Sequence, residues 1–421
     1  MYIRKIILKE IRGFSSLEFD LSRRSPEFAG WTVITGDNAS GKSALLRAVA
    51  MALVGPDATR ALTLSLDGWV RDGQAKGEVS VEIIPGDEDR FDRGGRPYKD
   101  AFWSELDFYI EQRKTLMEVA NRRRKKMKGP TRGPWSETAA GWFCAGYGPF
   151  RRLYGHSPEA QRLMSTRGKV ARFATLFRED ATLAESDLWL KELNHQGLEG
   201  KEEARTTLRI VLGVLNNAFF PNGITVDRVD SSGLWLKHPD GNSLDLHDMS
   251  DGFRSAAALV MDLLRHLVDA YGVEKLIDDG GIINHAGIVL IDEIDAHLHP
   301  EWQREIGGWF KRLFPKIQFI VTTHSPLICQ EADEGSIFVL PAPGAGQQPF
   351  QISEGDYRRI VAGRPDTILL SPAFDLEYTR SPKAVEARRE YSRLKVKQRS
   401  VALTSDEREK QMELAFFVEE G

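Results

Sequence analysis

The chain has 421 residues, 41% of them hydrophobic and 28% charged, with a formal net charge of −4. These are globular values, and the length exceeds what one hydrophobic core usually serves, so two lobes or a head with appendages are expected. Cys144 and Cys329 do not make a disulfide framework, no apolar run reaches about 18 residues, and the charged opening (Arg4, Lys5, Lys9) is unlike a secretory leader, so a cytoplasmic protein without a membrane span is expected.

Ile3–Phe14 alternates like a strand pair, and Trp31–Thr35 reads as a buried strand. Gly36-Asp37-Asn38-Ala39-Ser40-Gly41-Lys42-Ser43 follows and fits G-x-x-x-x-G-K-S. Lys42–Val54 then reads as a helix stopped by Gly55-Pro56. A strand, a glycine loop and a helix start aim backbone N–H groups at an anion, so a di- or triphosphate fits. Lys42 reaches its outer phosphates in this reading, and the Ser43 hydroxyl ligates Mg²⁺.

Pro85–Asp100, rich in glycine and charge, reads as a flexible loop. From about Phe102 to Lys128 the chain looks helical, ending at Gly129-Pro130. Between Arg113 and Arg132 it carries nine basic residues, among them Arg122, Arg123, Arg124, Lys125 and Lys126, against Glu118. Contact with DNA or RNA, contact with an acidic partner surface and a solvated face all remain open for this cluster.

Arg254–Ala270 reads as a helix preceded by Met249-Ser250-Asp251-Gly252, and Asp251 is expected to point away and cap it. Ile288–Ile291 suits a central parallel strand, delivering Asp292 and Glu293 to its C-terminal end, where doubly wound sheets bind ligands. Asp292 then suits the Mg²⁺ side and Glu293 the base that orients the attacking water. Pro300 opens the next helix as an N1 proline. Phe319–Thr323 is another buried strand, and His324, directly after it, could hydrogen-bond a γ-phosphate. Pro341–Pro349 reads as a loop, and charged helical patterns run from Pro382 to Lys397 and from Ser405 to Val418.

In this order and spacing the motifs resemble an ABC-type ATPase of the branch containing the RecF, Rad50 and OLD heads, over roughly residues 1–330. The resemblance implies an α/β ABC-type ATPase head: a mixed, largely parallel P-loop sheet flanked by helices, with a helical lobe and a C-terminal helical segment. It also implies ATP with Mg²⁺, catalysis by Glu293 with Lys42 and His324, and Arg12 near the nucleotide. Asp295-Ala296-His297-Leu298-His299 resembles the D-loop, which accounts for the His-x-His spacing without a metal site. Ser250 and Gly252 resemble the signature that caps the γ-phosphate of an opposing head, so a homodimer or higher homo-oligomer is implied. No glutamine falls at a convincing strand end for the Q-loop, and Phe143–Arg151 occupies about that place.

The stretch between Ser43 and Ser250 is too short for a long coiled coil, and no Asp-x-Asp follows His324 to suggest a Toprim nuclease. Tyr147-Gly148-Pro149-Phe150-Arg151, Ala174–Phe177 with Trp189-Leu190, and the tail from Ile368 to Ser381 resemble the ATPase subunits of the Septu and retron anti-phage systems. Those ATPases work with a separate HNH nuclease. The expected divisions are 1–84 for the first part of the head with the P-loop, and 85–140 for the loop with a basic helical insertion. A helical lobe and strand region follows at 141–247, the second part of the head at 248–360, and a C-terminal helical segment that could dock a partner at 361–421. The expected function is an ATPase subunit whose head dimerisation controls a nuclease; the alternative is a RecF-like DNA-binding ATPase of recombination or repair.

Overall fold

The structure, a computed structural model, describes the chain apart from residues 24–27, 98–99, 121, 123–127, 154, 156, 167, 218, 221, 279–280, 345–346 and 420–421. The first strands are β1 (Tyr2–Ile11), β2 (Phe14–Asp20), β3 (Gly30–Gly36), β4 (Lys76–Ile84), β5 (Phe102–Glu111), β6 (Lys114–Val119) and β7 (Phe143–Tyr147). A small trio follows, β8 (Thr225–Val229), β9 (Leu234–Lys237) and β10 (Ser243–Asp245). Last come β11 (Gly287–Ile291), β12 (Ile317–Thr322), β13 (Ile337–Leu340) and β14 (Phe350–Gln351).

The central sheet has the order β14-β13-β3-β12-β11-β7. Its strands from β13 to β7 run parallel and β14 closes one edge antiparallel. Every residue of β7, β11, β12 and β13 is buried, as expected of strands covered on both faces. The antiparallel sheet β2-β1-β4-β5-β6 lies beside it. Gln318 joins the two from inside β12. Its side-chain oxygen accepts from the Ile3 N–H at 2.7 Å and its amide donates to the Ile3 carbonyl at 2.9 Å, pairing the end of β1 as a neighbouring strand would.

The helix Lys42–Val54 packs between the sheets and is buried on nearly all sides, which is why it is wholly apolar after Arg47 rather than amphipathic. The lobe after β7 consists of the helices Pro158–Met164, Lys169–Phe177, Ala184–Leu198 and Glu202–Asn216 and the sheet β10-β9-β8.

One segment corrects the sequence reading. Phe102–Val119 is the hairpin β5–β6, not the start of a helix. Phe102, Ser104, Leu106 and Phe108 point inward at period two, and Gln112 and Arg113 turn the chain with φ of 49° and 66°. Among the described residues the only helical stretch there, Lys128–Arg132, is one turn long. At the other end of the chain, the helices Pro382–Gln398 and Ser405–Glu419 form a hairpin tied by Lys397–Glu407 (2.5 Å) and Lys410–Glu390 (3.2 Å).

Candidate functional site

Everything chemically unusual gathers at the C-terminal ends of β3, β11 and β12. After β3 the chain turns through Ala39 (φ 62°) and Gly41 (φ 95°) into the helix at Lys42. Gly36 is needed because a Cβ there would fall 2.2 Å from the Leu340 carbonyl oxygen. At Gly41 the same atom would fall 2.7 Å from the Phe14 ring, so the β1–β2 turn presses on the loop. Asp37, Asn38 and Ala39 are exposed at the loop tip, whereas Ser40 is buried with its hydroxyl lacking a partner among the described residues. The buried Lys42 ammonium donates to the carbonyls of Gly36 and Asp37, both at 2.8 Å. Burial lowers its pKa, while Asp292, Glu293, Asp37 and Asp295 favour the charge, which places lysine and acids in one electrostatic field.

Asp292, directly beyond β11, is fully buried. One carboxylate oxygen accepts from the Thr322 hydroxyl at 2.6 Å and the other has no partner among the described residues. A buried, half-satisfied carboxylate is costly unless something cationic completes it. The P-loop serine, Ser43, lies in the first turn of the helix after the phosphate loop, so the donor set suits Mg²⁺ held by Ser43 and Asp292.

Glu293 is half-buried and holds φ at +46°, a left-handed backbone that costs a non-glycine residue roughly 1–3 kcal/mol. Its neighbours impose that conformation. The Glu293 N–H donates to the Thr322 hydroxyl oxygen at 2.7 Å, so one threonine on β12 serves both acids. From the other side, Arg151 donates to the carbonyls of Asp292 (2.8 Å) and Glu293 (3.0 Å). Sequence reasoning gave Thr322 no role and placed Arg151 only within the segment occupying about the Q-loop position, without these contacts. The signals were a second hydroxyl at the end of an apolar strand and an arginine four residues past another.

The segment after Glu293 is likewise tied down. The Thr323 hydroxyl donates to Asp295 at 2.6 Å, and Gln303 donates to the Leu298 carbonyl at 2.8 Å. His324 stands exposed immediately after Thr323, and His299 caps the helix that Pro300 begins.

Ser250 is the exposed N-cap of the long helix Asp251–Tyr271, and its side chain makes no capping hydrogen bond there. Asp251 therefore does not cap: it is the first helical residue, and its carboxylate pairs with Arg254 one turn on. An acid at that position gains from the positive end of the helix dipole. Gly252 is buried because a Cβ would sit 2.1 Å from the His297 carbonyl oxygen, which sets this helix against the segment following the acids. Arg151, Arg152, Asp251, Arg254 and His297 line a cavity of about 320 Å³ at this contact. Arg12, in the β1–β2 turn at φ 51°, lays its guanidinium over Trp69 at 4.7 Å. Burial and nearby Arg47 lower its pKa.

The basic cluster divides. Arg122 is ion-paired with Glu78, Glu105 and Asp107 on the antiparallel sheet, so its charge is spent within the fold rather than offered to phosphate. Arg123, Arg124, Lys125 and Lys126 lie outside the described residues.

A parallel sheet thus carries a phosphate loop on one strand and two acids on another, with a threonine on the strand between them, an arrangement that resembles the nucleotide site of P-loop ATPases. Two family models match the chain: "AAA domain" over residues 5–132 and "AAA domain, putative AbiEii toxin, Type IV TA system" over residues 157–330. The chain is similar to the Septu protein PtuA of Bacillus mycoides, with 25% identity over 341 residues, or 80% of this chain and 40% of that one. It is 34% identical over 158 residues to the retron Ec83 probable ATPase of Escherichia coli, covering 33% of this chain and 28% of that protein. A second Septu protein PtuA, from Bacillus thuringiensis, is 27% identical over 196 residues, covering 43% of this chain and 44% of that one. The chain thus spans less than half the length of these relatives. Among solved structures, an Smc head bound to the C-winged helix domain of ScpA overlaps 84% of this chain and 98% of its own, at 16% identity and a TM-score of 0.47.

Proposed function

We propose that this chain hydrolyses ATP at a site completed by a second copy, and that this turnover controls a separate nuclease in an anti-phage complex. The observation that carries the hydrolytic part is the acid pair: Asp292 keeps one buried oxygen free, beside a backbone-pinned Glu293 and the Lys42 ammonium. In this reading the loop from Gly36 to Ser43 binds the phosphates through its N–H groups, and Lys42 exchanges its two carbonyl acceptors for phosphate oxygens. Ser43 and Asp292 would hold Mg²⁺, which would neutralise phosphate charge there. Glu293 orients and deprotonates the attacking water, and exposed His324 meets the γ-phosphate. Arg12 lies toward the nucleotide from the β1–β2 turn. Ser250 and Gly252 present an open helix N-terminus to the phosphate bound by the other copy.

Support for the defence role comes from the relatives named as Septu and retron proteins, and the HNH nuclease partner follows from that resemblance. DNA or RNA as a further ligand rests on Arg123–Lys126 alone.

Turnover and trans-complementation test this reading together. Glu293→Gln is expected to bind ATP and stop turnover, while Lys42→Ala loses binding. Mixing Lys42→Ala with Ser250→Arg should regenerate one composite site from the intact halves. Wild-type turnover by Glu293→Gln would reject the assigned base, and a mixture as inactive as its components would reject assembly in trans.

A further inference from the structure

We propose that Arg151 is a positioning residue for hydrolysis, holding the backbone of Glu293 so that its carboxylate starts each turnover aimed at the water. This rests on the reading of Glu293 as the base. The argument begins with β7, whose Tyr147 lies in parallel register with Ile291 of β11. The Tyr147 carbonyl accepts from the Asp292 N–H at 2.8 Å, so the chain leaving β7 stays alongside the acids. It turns at Gly148, where a Cβ would come within 2.1 Å of the Thr175 carbonyl oxygen, so the lobe helix Lys169–Phe177 props the turn from behind. Arg151 emerges from it 3% exposed.

Among the described residues its guanidinium has three acceptors, all backbone carbonyls: Gly148 at 2.8 Å, Asp292 at 2.8 Å and Glu293 at 3.0 Å. Among the described residues no carboxylate forms an ion pair with it. Burial pulls its pKa down to about 10 even though Asp292, Asp295 and Glu293 favour the charge. A buried cation satisfied only by neutral dipoles is an expensive way to close a turn. What the planar fork adds is geometry. Its two ends grip successive carbonyls, while Thr322 holds the Glu293 N–H from the opposite strand. Glu293 is thereby fixed at both backbone ends in a left-handed conformation that it would otherwise leave.

Arg151→Met and Arg151→Lys test this beside Glu293→Gln, with turnover counted per bound nucleotide so that unfolded protein does not enter the rate. Misplacing a catalytic group by about 1 Å can cost on the order of 100-fold. Arg151→Met is therefore expected to lower kcat about 10- to 100-fold, with nucleotide affinity and KM within about threefold of wild type. Arg151→Lys, which keeps the charge and one donor direction, should recover part of that loss. Combining Arg151→Lys with Glu293→Gln should cost no more than Glu293→Gln alone, because both act through one group. Wild-type turnover by Glu293→Gln would overturn the reading of the base. An inactive Glu293→Gln beside an Arg151→Met with wild-type kcat per bound nucleotide would overturn only the positioning role. Should Arg151→Met fail to fold, Arg151→Lys decides: a lower kcat at unchanged KM supports the proposal, and wild-type kcat rejects it.

Discussion

Thr322 carries more of the site than its residue type suggests. Its hydroxyl donates a hydrogen bond to Asp292 and accepts one from the Glu293 N–H, so a single side chain orients both acids. Thr322→Val preserves the shape of the strand and removes the relay. It leaves a buried N–H and a buried carboxylate oxygen unpaired, a loss of about 1–3 kcal/mol per group. The expected result is a clear drop in urea midpoint and at least a tenfold fall in kcat, with ATP still bound; unchanged kcat would remove Thr322 from the chemistry. At this scale the sequence was legible wherever a motif fixes chemistry by spacing. Lys42, Asp292 and Glu293 fall into one field as expected. The contacts of the supports are not legible there because Thr322 and Arg151 act through residues distant in the chain, and nothing local marks which carbonyl or carboxylate a side chain will meet.

Among the elements, the buried apolar strands were the easiest to read, since Ile288–Ile291 and Phe319–Thr322 admit few other placements. The hairpin β5–β6 misled because the arginine–lysine run and the Gly129-Pro130 stop resemble a helix end, although Phe102, Ser104, Leu106 and Phe108 alternate at the period two of a strand. The helix Asp251–Tyr271 has a second device inside it. Burial alone would raise the Asp262 carboxyl, but the charges and hydrogen bonds of His266 and Arg265 outweigh burial and hold it well below the ordinary range. Arg265 donates to it at 2.8 Å. Burial in turn lowers the His266 imidazole, against the pull of Asp262. A carboxyl depressed in the folded state stabilises above its unfolded pKa, near 3.9, and loses that contribution as pH falls through the folded value. Asp262→Asn should therefore cost about 3–5 kcal/mol at pH 7, because it leaves the buried Arg265 guanidinium without its carboxylate partner, and the gap to wild type should narrow only below about pH 4. Urea midpoints from pH 7 to pH 3 measure this, and a gap constant across that range would refute it.

For the whole molecule, the question is where the head ends. The two expected C-terminal helices exist, and their contacts are chiefly with each other, leaving Met412 and Phe416 74% and 66% exposed. The stretch before them behaves differently. Ile368 and Ala373 are each 1% exposed, and the Thr35 hydroxyl, on the strand feeding the phosphate loop, donates to the Ala373 carbonyl at 3.2 Å. Gly36 and Asp37 even share a cavity wall with Pro372–Asp375. Residues up to about 375 thus belong to the nucleotide end of the central sheet, and the hairpin is an appendage. Removing 381–421 should leave nucleotide binding and the melting temperature near wild type and abolish only association mediated by the hairpin. Removing 366–421 takes a buried isoleucine from the core, worth about 1.5–3 kcal/mol, and frees the strand that aims the loop. That cut should lower the melting temperature by several degrees and weaken ATP binding along with it. Melting curves, nucleotide titration and light-scattering mass on the two truncations separate the cases, and equal stability for both would return residues 366–380 to the appendage.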